Sequence, residues 1–552
     1  MLKCFPKNFL HTDKIPMNIR IFTVMLLMLT VLPLYAAKVD TGNDDYDKIF
    51  DRLYQGSFDE KQQALNALMQ TDLEDKKKFL QGIMDKSLMV HKKSKKVVWV
   101  IKQDRQYQMT DAFSGEDLGL AKKRKVKKFA INNQMRSQID ALISTIDLDS
   151  SDPQKRLAAV NSMLANPAAE HADLLRSRLP TESDEEVKQA MQLTIALAAL
   201  NHEDSQVRLT ALDDVADSLA PAVRSKIAAM AADDSDAAVQ QKAGKIEQTQ
   251  QQRVEIFGYV ETLFFGLSLG SVLVLAAIGL AITFGVMGVI NMAHGELIML
   301  GAYTTYLLQM AMPDSVGLAL LLSIPAAFMV SGLVGIGIER SVIRFLYGRP
   351  LETLLATFGI SLVLQQVVRT VISPQNVPVA NPDWMSGFIQ INSVLSITYN
   401  RLYIIFFCLA VFALLFFLLK KTRLGLEVRA VSQNRAMARA MGIRSSRVDA
   451  LTFGLGSGVA GVAGVALSQL TNVGPNLGQA YIVDSFMVVV FGGVGNLWGT
   501  LIGGMSLGVV NKFMEPWTGA VLAKILVLIF IILFIQKRPR GLFPQKGRAA
   551  EG

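Results

Sequence analysis

Hydrophobic and polar positions follow two different rhythms along the chain. Over 43–94 and 132–250, Leu, Ala, Ile and Met recur at helical spacing with charged residues between them, the pattern of helices with one buried face. Between these stretches, apolar 97–101 and 107–109 flank polar 102–106, which predicts a small hairpin. From 262 onward the charges thin out, and apolar segments approach the roughly 20 residues that a helix needs to cross a bilayer. They run over 262–284, 286–311, 316–338, 352–372, 402–419, 449–470, a glycine-rich 484–511, and 519–535. The expected fold is all-α: a polytopic membrane helix bundle at 254–545 with a short tail at 546–552, preceded by a mainly helical domain at 38–253. Residues 1–37 have the layout of an export signal, with Lys3, Lys7, Lys14 and Arg20 ahead of the apolar run 21–34 and the small Ala36 and Ala37 behind it.

The first half repeats itself. Asp152, Arg156 and Leu157 are matched 52 residues on by Asp204, Arg208 and Leu209, and Asp184 and Val187 by Asp236 and Val239 at the same offset. Each Asp stands where a helix N-cap would satisfy backbone donors. Paired helices at such a period resemble HEAT-like stacking, which builds an interaction surface. The basic run 122–128 reads as a solvated loop, with docking to an acidic partner as the alternative. His91, His171 and His202 stand in no ligand motif, and Cys4 and Cys408 lie in different halves, so the sequence points to no metal site.

Composition agrees with a large membrane portion: 51% of residues are hydrophobic and 19% charged, against about 25% charged in ordinary soluble chains. The net charge of +9 divides into +1 from 1–253, with 36 basic and 35 acidic residues, and +8 from 254–552, with 20 and 12. A surplus carried by the apolar half argues against a nucleic-acid partner. Arg340, Arg344 and Arg349 form one basic stretch; Lys420, Lys421, Arg423, Arg429, Arg435, Arg439, Arg444 and Arg447 a second; Lys537, Arg538, Arg540, Lys546 and Arg548 a third. Positive charge favours the cytoplasmic side, and the loop 373–400, which has no Lys or Arg, fits the opposite one. With an external first domain, a cytoplasmic carboxyl terminus requires an even number of crossings in 484–511. A re-entrant hairpin broken at Gly492, Gly493, Gly495 and Asn496 meets that parity, and two full crossings are the alternative.

No Gly-x4-Gly-Lys-Ser/Thr phosphate loop occurs, so the chain is not the ATPase of a pump. It has instead a basic loop whose residues Arg429, Ala430, Asn434, Ala438 and Ala440 pattern as one short amphipathic helix stopped by Gly442 and Ile443. That loop, the run Thr-Phe-Gly-Val-Met-Gly-Val-Ile-Asn-Met-Ala-His-Gly-Glu at 283–296, and Phe-Gly-Gly-Val-Gly-Asn at 491–496 with Gly499 and Gly503 resemble the permeases of branched-chain amino acid (Liv-type) ABC importers. The resemblance covers about 257–545. It implies a bacterial inner-membrane importer subunit with no cofactor of its own. It further implies a second Liv-type permease, two ATPase subunits that bind ATP and dock at 429–447, a periplasmic solute-binding protein, and contact with membrane lipid. The long exported extension is similar to that of urea-importer permeases, which implies urea or a short-chain amide as solute. Branched-chain amino acid import is the alternative, and a membrane-anchored HEAT-like scaffold is the reading from another class.

The candidate pathway residues are polar groups in or beside apolar segments: Asn291, His294, Glu296, Thr357, Gln365, Gln366, Gln469 and Asn472. Ionisable groups at membrane depth need partners or water. Asn291, His294 and Glu296 therefore line the pathway or the break between segments, or else Glu296 and His294 cap a helix at the cytoplasmic edge, and the sequence leaves both open. Amide and hydroxyl side chains suit a small neutral solute with two amide donors and a carbonyl acceptor. No catalytic constellation is present, and a transport subunit, not an enzyme, is expected.

Overall fold

A computed structural model describes Val39 and residues 41–103, 106–165 and 169–543; the expected export signal and the 546–552 tail lie outside the described residues. The chain is mostly helical and packs as two units, one up to Val215 and one from Ala216.

In the first unit, α1 (Asp44–Gln55), α2 (Phe58–Met69), α3 (Lys76–Asp85) and α4 (Asn133–Asp147) share an apolar core of Phe50, Leu53, Leu65, Phe79, Met135 and Ile139 with strand residues Leu88 and Val90. Local chemistry starts these helices. Ser57 Oγ accepts from Glu60 N while Glu60 Oε2 accepts from Ser57 N, which satisfies donors at both places. The expected hairpin is present as β2 (Val97–Gln103) and β3 (Gln106–Asp111), with Lys102 opposite Tyr107, inside an antiparallel sheet of order β4-β3-β2-β1-β5. The other strands are β1 (Leu88–His91), β4 (Asp117–Lys122) and β5 (Val126–Lys128). The basic run expected as a loop is thus the end of β4, a 3-10 turn and β5; it is solvated, but the backbone pairing of Val126 opposite His91 makes it an edge strand.

Helices α5 (Pro153–Ala165), α6 (Ala169–Arg178), α7 (Glu185–Ala199) and α8 (Ser205–Val215) complete this unit. The repeat recurs in the bonds that its Arg and Asp side chains make to the backbone. Arg156 Nη1 donates to Ser150 O and Ser151 O, and Arg208 Nη1 to His202 O and Glu203 O. Asp184 Oδ1 accepts from Glu186 N and Val187 N as an N-cap, and Asp236 Oδ1 from Ala238 N and Val239 N.

The second unit begins with α9 (Pro221–Asp233) and α10 (Ala237–Met287), 51 residues long and so about 77 Å, well over the ~30 Å of a bilayer core. The expected domain boundary at 253/254 falls inside this continuous helix, whose first turns are polar. There Gln250 Nε2 donates to Ala216 O and Ser218 O. Then follow α11 (His294–Ala311), α12 (Val316–Ser341), α13 (Pro350–Val371), α14 (Tyr399–Lys421), α15 (Arg423–Gln433), α16 (Arg435–Ala440), α17 (Ser445–Ser468), α18 (Leu477–Gly492) and α19 (Leu497–Lys537). Among the described residues, α10, α12, α13, α14, α17 and α19 are long and apolar enough to cross a membrane.

One expectation is corrected, and two breaks fall where they were expected with different outer bounds. The segment 286–311 is not one helix: α10 stops at Gly288, whose φ of 65° suits a residue without Cβ, and the chain is irregular until His294. The glycine-rich region is α18, which starts ahead of 484, then a turn at Gly493 and Gly495, with φ 103° and 77°, and then α19. The last helix reverses at Gly519 (φ 78°, ψ 159°), the position at which the final apolar segment was expected to begin. Pairings of 484 with 524 and of 491 with 534 run in the opposite sense to the close approach of 492 to 499 and 503, so 497–518 and 520–537 form a hairpin.

Small residues let these helices touch. Gly456 lies against Gly279, Gly295 against Gly478, and Gly270 against Met505, each backbone to backbone. At one end of the bundle, Gly285 meets Gly495, Gly493 meets Gly541, and Val286, Leu424, Ile443 and Val448 share a small core. The described parts of all three basic stretches are gathered there. The loop 373–400 lies at the other end, where Val377 bridges to Val473.

Candidate functional site

The irregular segment after α10 carries the chain back into the bundle. His294 Nε2 donates to Ala276 O at 2.9 Å, and Ala276 is 11 residues, about 17 Å, from the end of α10. Helix α11 therefore starts inside the bundle, beside the start of α18, with Ala293 at its N-cap and no side-chain cap. Asn291, His294 and Glu296 are all buried, at no more than 1% exposure each, with His294 and Glu296 in the first turn of α11.

A stripe on α13 faces this segment. Thr353, Thr357, Ser361, Gln365 and Arg369 recur every fourth residue, which stacks them along one side of the helix. Met292 N donates to Thr357 Oγ1 at 3.1 Å. Ser361 Oγ and Gln365 Nε2 both donate to Glu296 Oε1, at 3.0 and 2.7 Å, and Arg369 Nη2 donates to Asn476 Oδ1 at 2.7 Å. One oxygen of the Glu296 carboxyl is thus held in place. Glu296 Oε2, Asn291 Nδ2 and His294 Nδ1 are buried without a protein partner. Buried polar atoms of this kind are satisfied by water or a ligand, or else carry a desolvation cost of about 1–3 kcal/mol. This seam offers acceptors and one amide donor.

Thr357 and Gln365 of the expected set join Asn291, His294 and Glu296 in the seam. Gln366 does not: it is exposed on the other face of α13 and bonds Thr370. Asn472 is exposed in the loop before α18, and Gln469 is buried outside the seam, its Nε2 donating to Ser468 Oγ and its Oε1 without a protein partner. Ser361 and Asn476 were missed. The four-residue ladder on α13 was the signal for Ser361, whereas Asn476 comes from over a hundred residues away and left none.

The second constellation lies at the basic end. The residues expected as one amphipathic helix are two, α15 and α16, because Asn434 is extended (φ −153°, ψ 98°) and caps α16 by accepting from Met437 N. Gly442, at φ 86°, ends the segment as expected. Arg429 donates to Leu419 O. Ala430, Ala438 and Ile443 pack on Val428, Val431 and Val448, while Ala440, Met437 and Met441 point out, the two methionines 61% and 77% exposed. Arg435 grips Asp449 at the start of α17 with both nitrogens, at 2.7 and 2.8 Å, and lies 4.1 Å over the Tyr347 ring. One guanidinium ties α16 to the bundle and to the 342–349 loop.

Residues 262–535 match the family described as branched-chain amino acid transport system / permease component. The high-affinity branched-chain amino acid transport system permease protein BraD of Pseudomonas aeruginosa is 33% identical over 299 residues, covering 52% of this chain and 96% of that protein. The chain belongs to this permease family. LivH of Escherichia coli (strain K12), named for the same transport system, is 30% identical over 293 residues, 51% of this chain and 95% of that protein. The ribose import permease protein RbsC of the same strain is 32% identical over 109 residues, 18% and 34% of the two chains. No solved structure matches. The permease is therefore a multi-pass transport component of an ABC importer, not an enzyme, and such components work with ATPase and solute-binding partners. Both the seam and the Arg435–Asp449 pair fall within the matched residues.

Proposed function

We propose that the permease carries urea or a short-chain amide inward, through a path lined by Asn291, His294, Glu296, Thr357, Ser361 and Gln365. The observation that carries this reading is the charge of the bundle interior. Among the described residues of the second unit, the buried side chains include four carboxyls, Glu296, Glu339, Asp449 and Asp484, and no Lys or Arg; Arg369, at the end of the stripe, is only partly buried and is bonded to Asn476. A zwitterionic amino acid would need a cation for its carboxylate, whereas a neutral amide needs only the acceptors and the amide donor of the seam. Branched-chain amino acid import is the second reading, favoured by the names of the relatives.

The gathering of the basic stretches at one end supports a cytoplasmic carboxyl terminus and an external first domain of HEAT-like helices. Exposed Met437, Ala440 and Met441 on a loop anchored by Arg435 suit docking of an ATPase subunit. A second permease would complete the pore, and an external binding protein would deliver solute. Proteoliposomes reconstituted with these partners test the reading by ATP-dependent uptake. Labelled urea should accumulate and compete with acetamide but not with leucine, and Glu296→Ala should abolish uptake while leaving ATPase binding intact. Uptake of leucine that urea does not inhibit would overturn the solute assignment.

A further inference from the structure

The first unit carries a concentration of charge that the transport reading leaves unused. The turn after β1 supplies Lys92, Lys93, Lys95 and Lys96, and 122–128 supplies Lys122, Lys123, Arg124, Lys125, Lys127 and Lys128: ten cations, nine of them lysines. The fold makes these two segments neighbours. Lys92 N donates to Lys125 O at 2.9 Å, and β5 pairs with β1 so that Lys127 stands opposite Val90. Lys95 and Lys127 approach the same ring, their Nζ atoms 5.1 and 4.8 Å from the Tyr54 centroid. Counter-charge is scarce: Lys96 pairs with Asp111 at 3.2 Å and with Glu116 at 3.9 Å, and none of the other nine forms an ion pair among the described residues. The resulting potential reaches inward. Burial, and after it Lys125 and Lys93, hold His91 below its ordinary value, and Lys127 adds to burial in lowering Lys61.

The make-up of the patch indicates its partner. Protein interfaces are depleted in Lys and enriched in Arg and aromatic anchors. Here one Arg stands among nine Lys, and the aromatic ring between them, Tyr54, is buried. Lysine ammoniums on flexible stems suit a diffuse anionic sheet, where attraction accumulates charge by charge. This unit is covalently joined to six helices long and apolar enough to cross a membrane, so docking on that membrane would be an intramolecular event. We propose that the cationic edge formed by 92–96 and 122–128 binds anionic phospholipid headgroups of the membrane in which the permease sits. The inference is independent of the transported solute and of which side of the membrane the unit occupies.

Full-length protein in nanodiscs tests it, by the rate at which individual lysines are acetylated and read by mass spectrometry. In discs with about 30% phosphatidylglycerol, Lys123, Lys125 and Lys127 should react at least about fivefold more slowly than in pure phosphatidylcholine, fivefold being the equivalent of ~1 kcal/mol, the attraction expected per engaged lysine. Lys155 and Lys188, away from the edge in sequence and charge, should react alike in both. Salt at about 0.5 M should abolish the protection. The exposed double variant Lys123→Glu/Lys125→Glu should lose protection at Lys127, and Lys123→Arg/Lys125→Arg should keep it with unchanged helicity. Equal rates in the two discs at low salt would overturn the proposal. So would protection that arises in phosphatidylcholine discs only when an acidic solute-binding protein is added, which would assign the edge to a protein partner.

Discussion

Alanine at Gly456 should loosen the bundle, whereas alanine at Gly359 should tighten it. A Cβ at Gly456 would stand 2.6 Å from Gly279 O and 2.6 Å from Thr283 Cγ2, which is 0.8 Å inside the 3.4 Å of ordinary contact. Thr283 can rotate away, but Gly279 O is backbone on a helix pinned nearby by the bond from His294 to Ala276 O. The crossing must therefore widen. Overpacking of this kind costs about 1–3 kcal/mol, and the helix preference for Ala over Gly offsets ~0.8–1.0 kcal/mol, leaving a net loss centred on about 1 kcal/mol and reaching ~2 kcal/mol at most. Gly359 and Gly337 are also helical but have nothing within 4 Å of the added atom, so only the favourable term acts there. The two classes should differ by about 2 kcal/mol, roughly 30-fold in the opening equilibrium. Cys408 offers the readout, being the free cysteine of the described residues, fully buried, and in the same core as Val459 and Ala460. In a Cys4→Ser background, its alkylation rate in detergent measures how often the bundle opens. Alkylation of Gly456→Ala within about twofold of the parent, or equal to that of Gly359→Ala, would refute the steric argument.

The first unit should lose stability in acid through one carboxyl. Glu182 accepts from Arg156 Nε and Nη2 at 2.9 and 2.7 Å and from the Ser183 and Asp184 amides, and mainly the Arg156 bonds hold it at about 2 against an ordinary 4.5. A depressed carboxyl contributes stability that is complete above about pH 4.5 and drains away as the pH falls toward 2. Arg156→Met should remove that contribution at neutral pH and flatten the acid limb between those values, as followed by helical circular dichroism; an unchanged acid profile would count against the pair. At the basic end, Asp449→Asn leaves Arg435 without its anion. Because the Arg435 side chain is 27% exposed, the cost should fall below the 3–5 kcal/mol of a fully buried pair, at about 2 kcal/mol. Trypsin should then cleave after Arg439 at least about tenfold faster while Cys408 stays protected, and equal cleavage would show that α16 is held by its apolar contacts alone.

Much of this architecture was legible in the sequence, for reasons that can be named. Apolar length, the Asp caps of the 52-residue repeat, the hairpin at 97–109 and the stop at Gly442 all arise from transfer free energy or backbone geometry within a short window. The seam was only half legible. A four-residue ladder marks a face of α13, but no window around Glu296 indicates that Ser361 and Gln365, 65 and 69 residues away, will hold it.

The sequence by itself determined which segments leave water, the Asp caps of the repeat, the stop at Gly442, and that positive charge collects in three stretches. Tertiary structure decided depth and partnership: that the chain after Met287 turns back to bury His294 and Glu296, that it reverses at Gly519, and that Arg435 meets Asp449. The physical reason is that burying an apolar helix costs little wherever it lies, whereas a buried polar group requires one particular neighbour. Which neighbour arrives depends on glycine contacts such as Gly295 with Gly478, made between helices distant in sequence.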